Sequence, residues 1–162
     1  MSVEKHQGGW VIVTSFVLAL MLSIVPLPVW AVEWRPDWVA MALIYWCIAT
    51  PQRVSVATGW TVGLVQDVLS NVLLGQHALS LSIVAYFSVQ MHRQVRIFPV
   101  WQQAMFVALL IVGSRFPELW IRGTLNYPSL GWAFALPAVT SLILWPWLFI
   151  LLRDLRRYYR VM

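Results

Sequence analysis

Apolar residues in this chain fall into long runs that contain no formal charge. Uncharged stretches cover residues 7–32, 38–52, 97–114 and 123–152, and Asp67 is the only formal charge within 54–91. A helix needs about 20 apolar residues to cross a bilayer, so runs of this length are typical of membrane spans. The 54–91 run is too long for one helix and predicts a helical hairpin that turns near Gly75. The pattern therefore predicts an all-α integral membrane protein.

The runs predict six transmembrane helices. They cover about residues 9–30, 36–50, 54–74, 77–92, 98–121 and 130–153. The second and the fourth are short, at about 15 residues or about 22 Å. We therefore expect these two helices to be shielded by their neighbours or to lie where the bilayer thins. The connections are brief, so residues 1–162 are predicted to form a single polytopic membrane domain.

The basic residues predict the orientation of the spans. With the N-terminus in the cytoplasm, eight basic residues fall in cytoplasmic segments and two, Arg35 and Arg122, fall on the opposite side. The cytoplasmic set is Lys5, Arg53, Arg93, Arg96, Arg153, Arg156, Arg157 and Arg160. Cytoplasmic loops of membrane proteins carry an excess of lysine and arginine. We therefore predict that both termini are cytoplasmic and that the basic C-terminal segment rests on the anionic inner leaflet.

Composition narrows the possible functions. Apolar residues make up 60% of the chain and charged residues 10%, whereas soluble domains average roughly 45–50% and 25%. The net charge of +5 is divided among separate segments, which gives no argument for nucleic-acid binding. Cys47 is the only cysteine, and the histidines are predicted on different sides of the membrane. We predict no catalytic, cofactor-binding or metal-binding residues, and we do not expect an enzyme.

The third predicted helix carries a stripe of small and polar residues. Gly59, Gly63, Asp67 and Asn71 are spaced four apart and therefore share one helical face. Two glycines one turn apart allow another backbone to approach closely. A carboxylate within a span is costly and is usually paired or faces a cavity. The stripe predicts a tight helix–helix seam, a polar site, or both.

The fifth predicted helix carries Arg115 and Glu118, with Pro117 between them. Side chains three apart on a helix can pair. One interpretation places them at the outer end of the helix, where an arginine reaches the headgroups. The alternative is an interrupted helix that lines a polar hollow, as in transporters.

Depth connects these two helices. At 1.5 Å per residue, Asp67 lies about 20 Å along the third helix and Arg115 about 25 Å along the fifth, so the two could pair. The predicted topology also puts Arg35, Asp37 and His77 on the outer side. The sequence thus predicts a polar pocket that opens outward.

Four stretches of the chain resemble one known family. They are Arg35-Pro36-Asp37-Trp38; Tyr45-Trp46 through Pro51-Gln52-Arg53; the stripe of Gly59, Gly63 and Asp67 that ends at Gly75; and Trp101-Gln102-Gln103 with Leu144-Trp145-Pro146-Trp147. On these residues the chain resembles the MreD family of the bacterial rod complex, in its proteobacterial branch. The resemblance implies an inner-membrane protein and a fold similar to the substrate-binding subunits of energy-coupling-factor transporters.

The resemblance also implies partners. Such proteins act with MreC, a single-span protein with a large periplasmic part. They work alongside MreB filaments, RodA and a class B penicillin-binding synthase, which elongate peptidoglycan. Two functions remain open: a non-enzymatic scaffold that binds MreC, and a subunit that binds a small molecule or lipid in the outward pocket.

Overall fold

The computed structural model describes residues 8–128 and 131–161, and every regular element within them is helical. The α-helices are α1 Gly9–Ile24, α2 Val29–Val32, α3 Trp38–Ala49, α4 Val56–Ser70, α5 Gln76–Val95, α6 Val100–Ser114, α7 Phe116–Thr124 and α8 Leu136–Tyr158. A 3₁₀ turn over Gly131–Ala135 leads into α8. Each of the six predicted segments thus contains a helix, which confirms the all-α class.

The central element is α3. Ten of its 12 residues are buried, as expected for a helix that is apolar on every side. It packs against α1, α5, α6 and α8, while α4 packs against α5 and α1. The second predicted helix is indeed short, and its neighbours shield it. By contrast, α5 has 20 residues, so the expectation of a short fourth helix was wrong.

Several predicted helix ends were also wrong. The first helix ends at Ile24 rather than near residue 30, because Pro26 and Pro28 follow and disfavour helical geometry in the residues before them. The second begins at Trp38, with Asp37 as its N-cap. The third ends at Ser70, and the fifth is divided at Arg115 into α6 and α7.

The lengths of the helices support only part of the predicted membrane topology. In the described ranges two helical stretches, Val100–Thr124 and Gly131–Tyr158, are long and apolar enough to cross a membrane, and Gly9–Ile24 and Trp38–Ala49 are shorter apolar helices. Six spans therefore remain a prediction. The bundle still has two distinct ends, because α3, α5 and α8 begin at the end where α1, α4 and α6 finish.

Candidate functional site

The segment that leads into α3 ties three helices together. Asp37 caps α3 by accepting a hydrogen bond from the backbone N–H of Ala40 at 3.2 Å, a preferred use of aspartate. The backbone N–H of Asp37 donates to Ser141 Oγ of α8 at 3.2 Å. The Arg35 guanidinium donates to the carbonyls of Ser23 and Val25 at the end of α1, where helical carbonyls lack partners.

The glycines of α4 form a tight seam with α5. A Cβ added at Gly63 would lie 2.3 Å from the Ala78 Cα, and one added at Gly59 would lie 2.8 Å from the Leu81 carbonyl oxygen. Real side chains do not tolerate these distances, so the two backbones pack together only because both residues are glycine. The predicted close approach is confirmed, and the approaching backbone belongs to the other arm of the same hairpin.

Asp67 holds the start of α5. Its carboxylate is fully buried and accepts hydrogen bonds from the backbone N–H groups of Gly75 at 2.8 Å, His77 at 2.8 Å and Ala78 at 3.3 Å. His77 Nδ1 lies 2.9 Å from Asp67 Oδ1. The first N–H groups of a helix lack intrahelical partners, and its N-terminus favours negative charge. Asp67, which lies on α4, therefore caps the N-terminus of α5 and joins the two arms of the hairpin.

A second cluster of charged residues lies at the break between α6 and α7. Pro117 lies in the first turn of α7 and cannot donate a backbone hydrogen bond, so the α6 ladder does not continue through it. Beyond the break, Glu118 lies between two arginines, with Arg122 Nε at 3.2 Å and Arg115 Nη1 at 3.8 Å. The interrupted-helix interpretation therefore fits the structure better than a continuous helix end.

These groups surround one cavity of about 360 Å³, which we call the polar cavity. It lies at the N-terminal ends of α3, α5 and α8. Its lining consists of Ser23, Val32, Glu33, Arg35, Pro36, Asp37, Gln66, Ser70, His77, Arg115, Glu118, Arg122, Ala133, Phe134 and Pro137. Three buried polar atoms in this lining have no hydrogen-bond partner: Arg35 Nε, Arg115 Nε and Gln66 Oε1. Two free donors and one free acceptor leave the cavity able to bind a small polar molecule.

Apart from Asp67, which caps the start of α5, the structure separates the predicted site residues into three groups. Five of them line the polar cavity: Arg35, Asp37, His77, Arg115 and Glu118. Gly59 and Gly63 lie in the α4–α5 seam instead. Asn71 lies at the exposed, left-handed C-cap of α4, because the helix ends before this residue could extend the stripe.

A pairing between Asp67 and Arg115 is not what the structure shows. The Asp67 carboxylate is occupied by the first turn of α5 and by His77, whereas Arg115 pairs with Glu118. The similar depth of Asp67 and Arg115 along their helices did not predict pairing. The backbone amides that bind the Asp67 carboxylate lie only eight to 11 residues away in the sequence, across a short turn.

Sequence reasoning missed several residues of the cavity, notably Glu33, Gln66 and Arg122. Arg122 had an available signal, since it follows Glu118 at the i,i+4 spacing that favours ion pairs. Gln66 had none beyond its place beside Asp67. Within the described ranges no group of three or more histidine, cysteine, aspartate or glutamate side chains could hold a metal ion.

Comparison with known proteins gives the family. The family model for the rod shape-determining protein MreD matches residues 4–155. A rod shape-determining protein MreD from Haemophilus influenzae is 33% identical over 146 residues, which cover 90% of each chain. No solved structure matches significantly, so the expected likeness to transporter subunits stays a prediction. The matches, together with the apolar helices, indicate a membrane protein with a rod shape-determining role. The chain belongs to the MreD family.

Proposed function

We propose that the protein is a non-enzymatic membrane scaffold of the rod complex. In this role it binds MreC and helps couple MreB filaments to peptidoglycan synthesis by RodA and a class B penicillin-binding synthase. The observation that carries the proposal is the family match over residues 4–155, which includes α1 to α7 and all but the last three residues of α8. The role therefore belongs to the helical bundle as a whole and not to an appended module.

The surface of the bundle supports a scaffold in the membrane. Large apolar side chains project outward from several helices, including Leu18 on α1, Leu109 on α6 and Ile143 on α8. Extensive exposed apolar surface marks contact with lipid or with partner helices. Brief connections between the helices leave the bundle faces as the main surface available to a membrane partner.

We propose six spans with both termini in the cytoplasm, formed by α1, α3, α4, α5, the α6–α7 pair and α8. The support is the eight-to-two distribution of basic residues and the shielding of the short α3 by its neighbours. A periplasmically active phosphatase fused after Arg160 should remain inactive, and the same fusion in the loop after α3 should also remain inactive. Activity of the C-terminal fusion would exclude this topology.

Co-purification with MreC tests the scaffold directly. A tagged full-length chain that restores rod shape to cells lacking the native protein should retain MreC in near-stoichiometric amount. Gly63→Leu disrupts the α4–α5 seam and should lose both MreC and rod shape. Gly113→Leu is the matched control, because a Cβ at Gly113 meets nothing within 4 Å. A chain that restores rod shape without retaining MreC would contradict the proposal.

A second function is supported by the three unpartnered polar atoms in the polar cavity. We infer that this cavity could hold a small polar ligand or a lipid headgroup, which would place the protein among binding subunits. Mass spectrometry of the purified chain should then find a retained molecule that Arg115→Gln releases and Arg93→Gln does not. A chain that retains no such molecule, with Arg115→Gln supporting normal rod shape, would exclude this function.

A further inference from the structure

A second cavity, of about 320 Å³, lies at the opposite end of the bundle. We call it the basic cavity. The C-terminal parts of α3 and α8, the end of α5 and the start of α6 enclose it. Four arginines line it: Arg96, Arg153, Arg156 and Arg157. Its volume falls in the range of about 300–1,000 Å³ typical of small-molecule sites.

The charge of the basic cavity is not balanced by its own lining. No aspartate or glutamate of the described residues lines it. Asp154 is the neighbouring carboxylate, but it is 62% exposed and contacts Arg153 Nε at 3.4 Å from outside. Arg156 and Arg157 form no ion pair with a carboxylate in the described ranges. Clustered guanidinium groups that outnumber the carboxylates around them attract an anion.

One arginine of the four has a second function. Arg96 Nε and Nη2 donate to the carbonyls of Ile48 and Ala49, both at 2.8 Å. These bonds satisfy the carbonyl end of α3 and fix the guanidinium plane at the cavity wall. A planar guanidinium held in this way is pre-organised for the oxygen atoms of a phosphate.

Two fully packed polar side chains point to a ligand independently of the arginines. Trp145 is completely buried and Gln103 is 4% exposed, and both line the basic cavity. Trp145 Nε1 and Gln103 Oε1 have no hydrogen-bond partner, although Gln103 Nε2 donates to the carbonyls of Val95 and Phe98. A buried donor or acceptor without a partner costs free energy, so the indole N–H and the amide oxygen are suited to the polar groups of a bound molecule.

We propose that the basic cavity binds a phosphate-bearing anion, with the arginines holding the phosphate and with Trp145 and Gln103 contacting its polar groups. Two sources share this chemistry: the headgroup of an anionic phospholipid and a free phosphate compound. The cavity lies where the apolar part of α8 gives way to its arginines, which is the depth of a bilayer headgroup whichever side of the membrane it faces. Basic pockets between membrane helices are known to bind anionic headgroups.

Binding to the purified full-length chain in an uncharged detergent tests the proposal. The probes are short-chain phosphatidylglycerol, short-chain phosphatidylcholine and inorganic phosphate. Phosphatidylglycerol should bind saturably, and phosphatidylcholine should bind at least about tenfold more weakly because its headgroup has no net charge. Arg157→Gln should weaken binding by about tenfold, the size expected for one charge-assisted hydrogen bond.

Matched variants distinguish a built site from a merely basic surface. Arg160→Gln removes the same charge from the same exposed segment but does not alter the cavity lining, so it should leave the affinity within about twofold if only screened charge is lost. Trp145→Phe removes the indole N–H and should weaken binding severalfold. If that buried variant does not fold, the comparison between Arg157→Gln and Arg160→Gln still tests the proposal.

Each outcome has a defined meaning. Inorganic phosphate that displaces phosphatidylglycerol, and that is weakened by the same variants, would support the site with a free phosphate compound as its ligand. Phosphate that fails to bind while phosphatidylglycerol binds would support the lipid. Equal losses in Arg157→Gln and Arg160→Gln, equal affinity for the two phospholipids, or no saturable binding by any probe would overturn the proposal.

Discussion

The two ends of this bundle carry charge in different ways. In the polar cavity three arginines are accompanied by three carboxylates, and the buried Asp67 beside it is satisfied by His77 and by backbone amides. In the basic cavity four arginines line the wall with no carboxylate among the described lining residues. The polar end is therefore largely neutralised by the protein itself, whereas the basic end needs an anion from outside. Removing charge should destabilise the first end and weaken binding at the second.

The largest effect is expected from Asp67→Ala. This change leaves three amides at the start of α5 without their acceptor and His77 without its partner. Removing one partner of a buried charged contact costs about 3–5 kcal/mol. The free energy of unfolding, measured in detergent, should fall by that amount. Asp154→Ala is the control, since its carboxylate is exposed and should change stability by less than about 0.5 kcal/mol. Equal effects would show that the polar end does not depend on the Asp67 contact.

Gly63→Ala should be the next most damaging change. The new methyl group would begin 2.3 Å from the Ala78 Cα, and overpacking of this kind costs about 1–3 kcal/mol. Gly113→Ala adds the same group to open space and should be neutral or slightly stabilising, because alanine favours the helix by up to about 1 kcal/mol. The same unfolding measurement compares the two. A neutral Gly63→Ala would mean that α4 and α5 are not in close contact.

At the opposite end, Arg96→Gln should cost about 1–2 kcal/mol, because it removes two hydrogen bonds from the carbonyl end of α3. The same variant should lower the affinity of the basic cavity for phosphatidylglycerol. Exposed Arg93→Gln is the control for charge and should affect neither quantity measurably. A loss of stability without a loss of affinity would separate the two functions of Arg96.

The smallest effects should appear in double-mutant cycles within the polar end. Arg115→Gln and Glu118→Gln should couple by no more than about 1 kcal/mol, as expected for a partly exposed pair. Asp67→Asn and Arg115→Gln should be additive within about 0.5 kcal/mol, because they share no contact. Coupling of about 1 kcal/mol or more between Asp67 and Arg115 in unfolding experiments would restore the direct pair and contradict the described geometry.

The sequence by itself determined the helical class, the six helical segments and the close approach at the glycines. These features depend on local quantities: the length of an apolar run, the spacing of small residues on one face and the position of a proline. The sequence also placed several polar residues at one end of the molecule, because depth along a helix follows from residue count. Arg35, Asp37 and His77 do line one cavity, and the outward orientation of that cavity stays a prediction.

Tertiary structure decided which polar groups meet. The acceptor role of Asp67 could not be predicted, because its main donors are backbone amides, which have no residue type to mark them. The basic cavity could not be predicted either, because its wall is formed by residues of α3, α5, α6 and α8 that are far apart in the sequence. The residue pattern determines which side chains share one face of each helix. The groups that this face contacts are determined only when the helices pack around the buried α3.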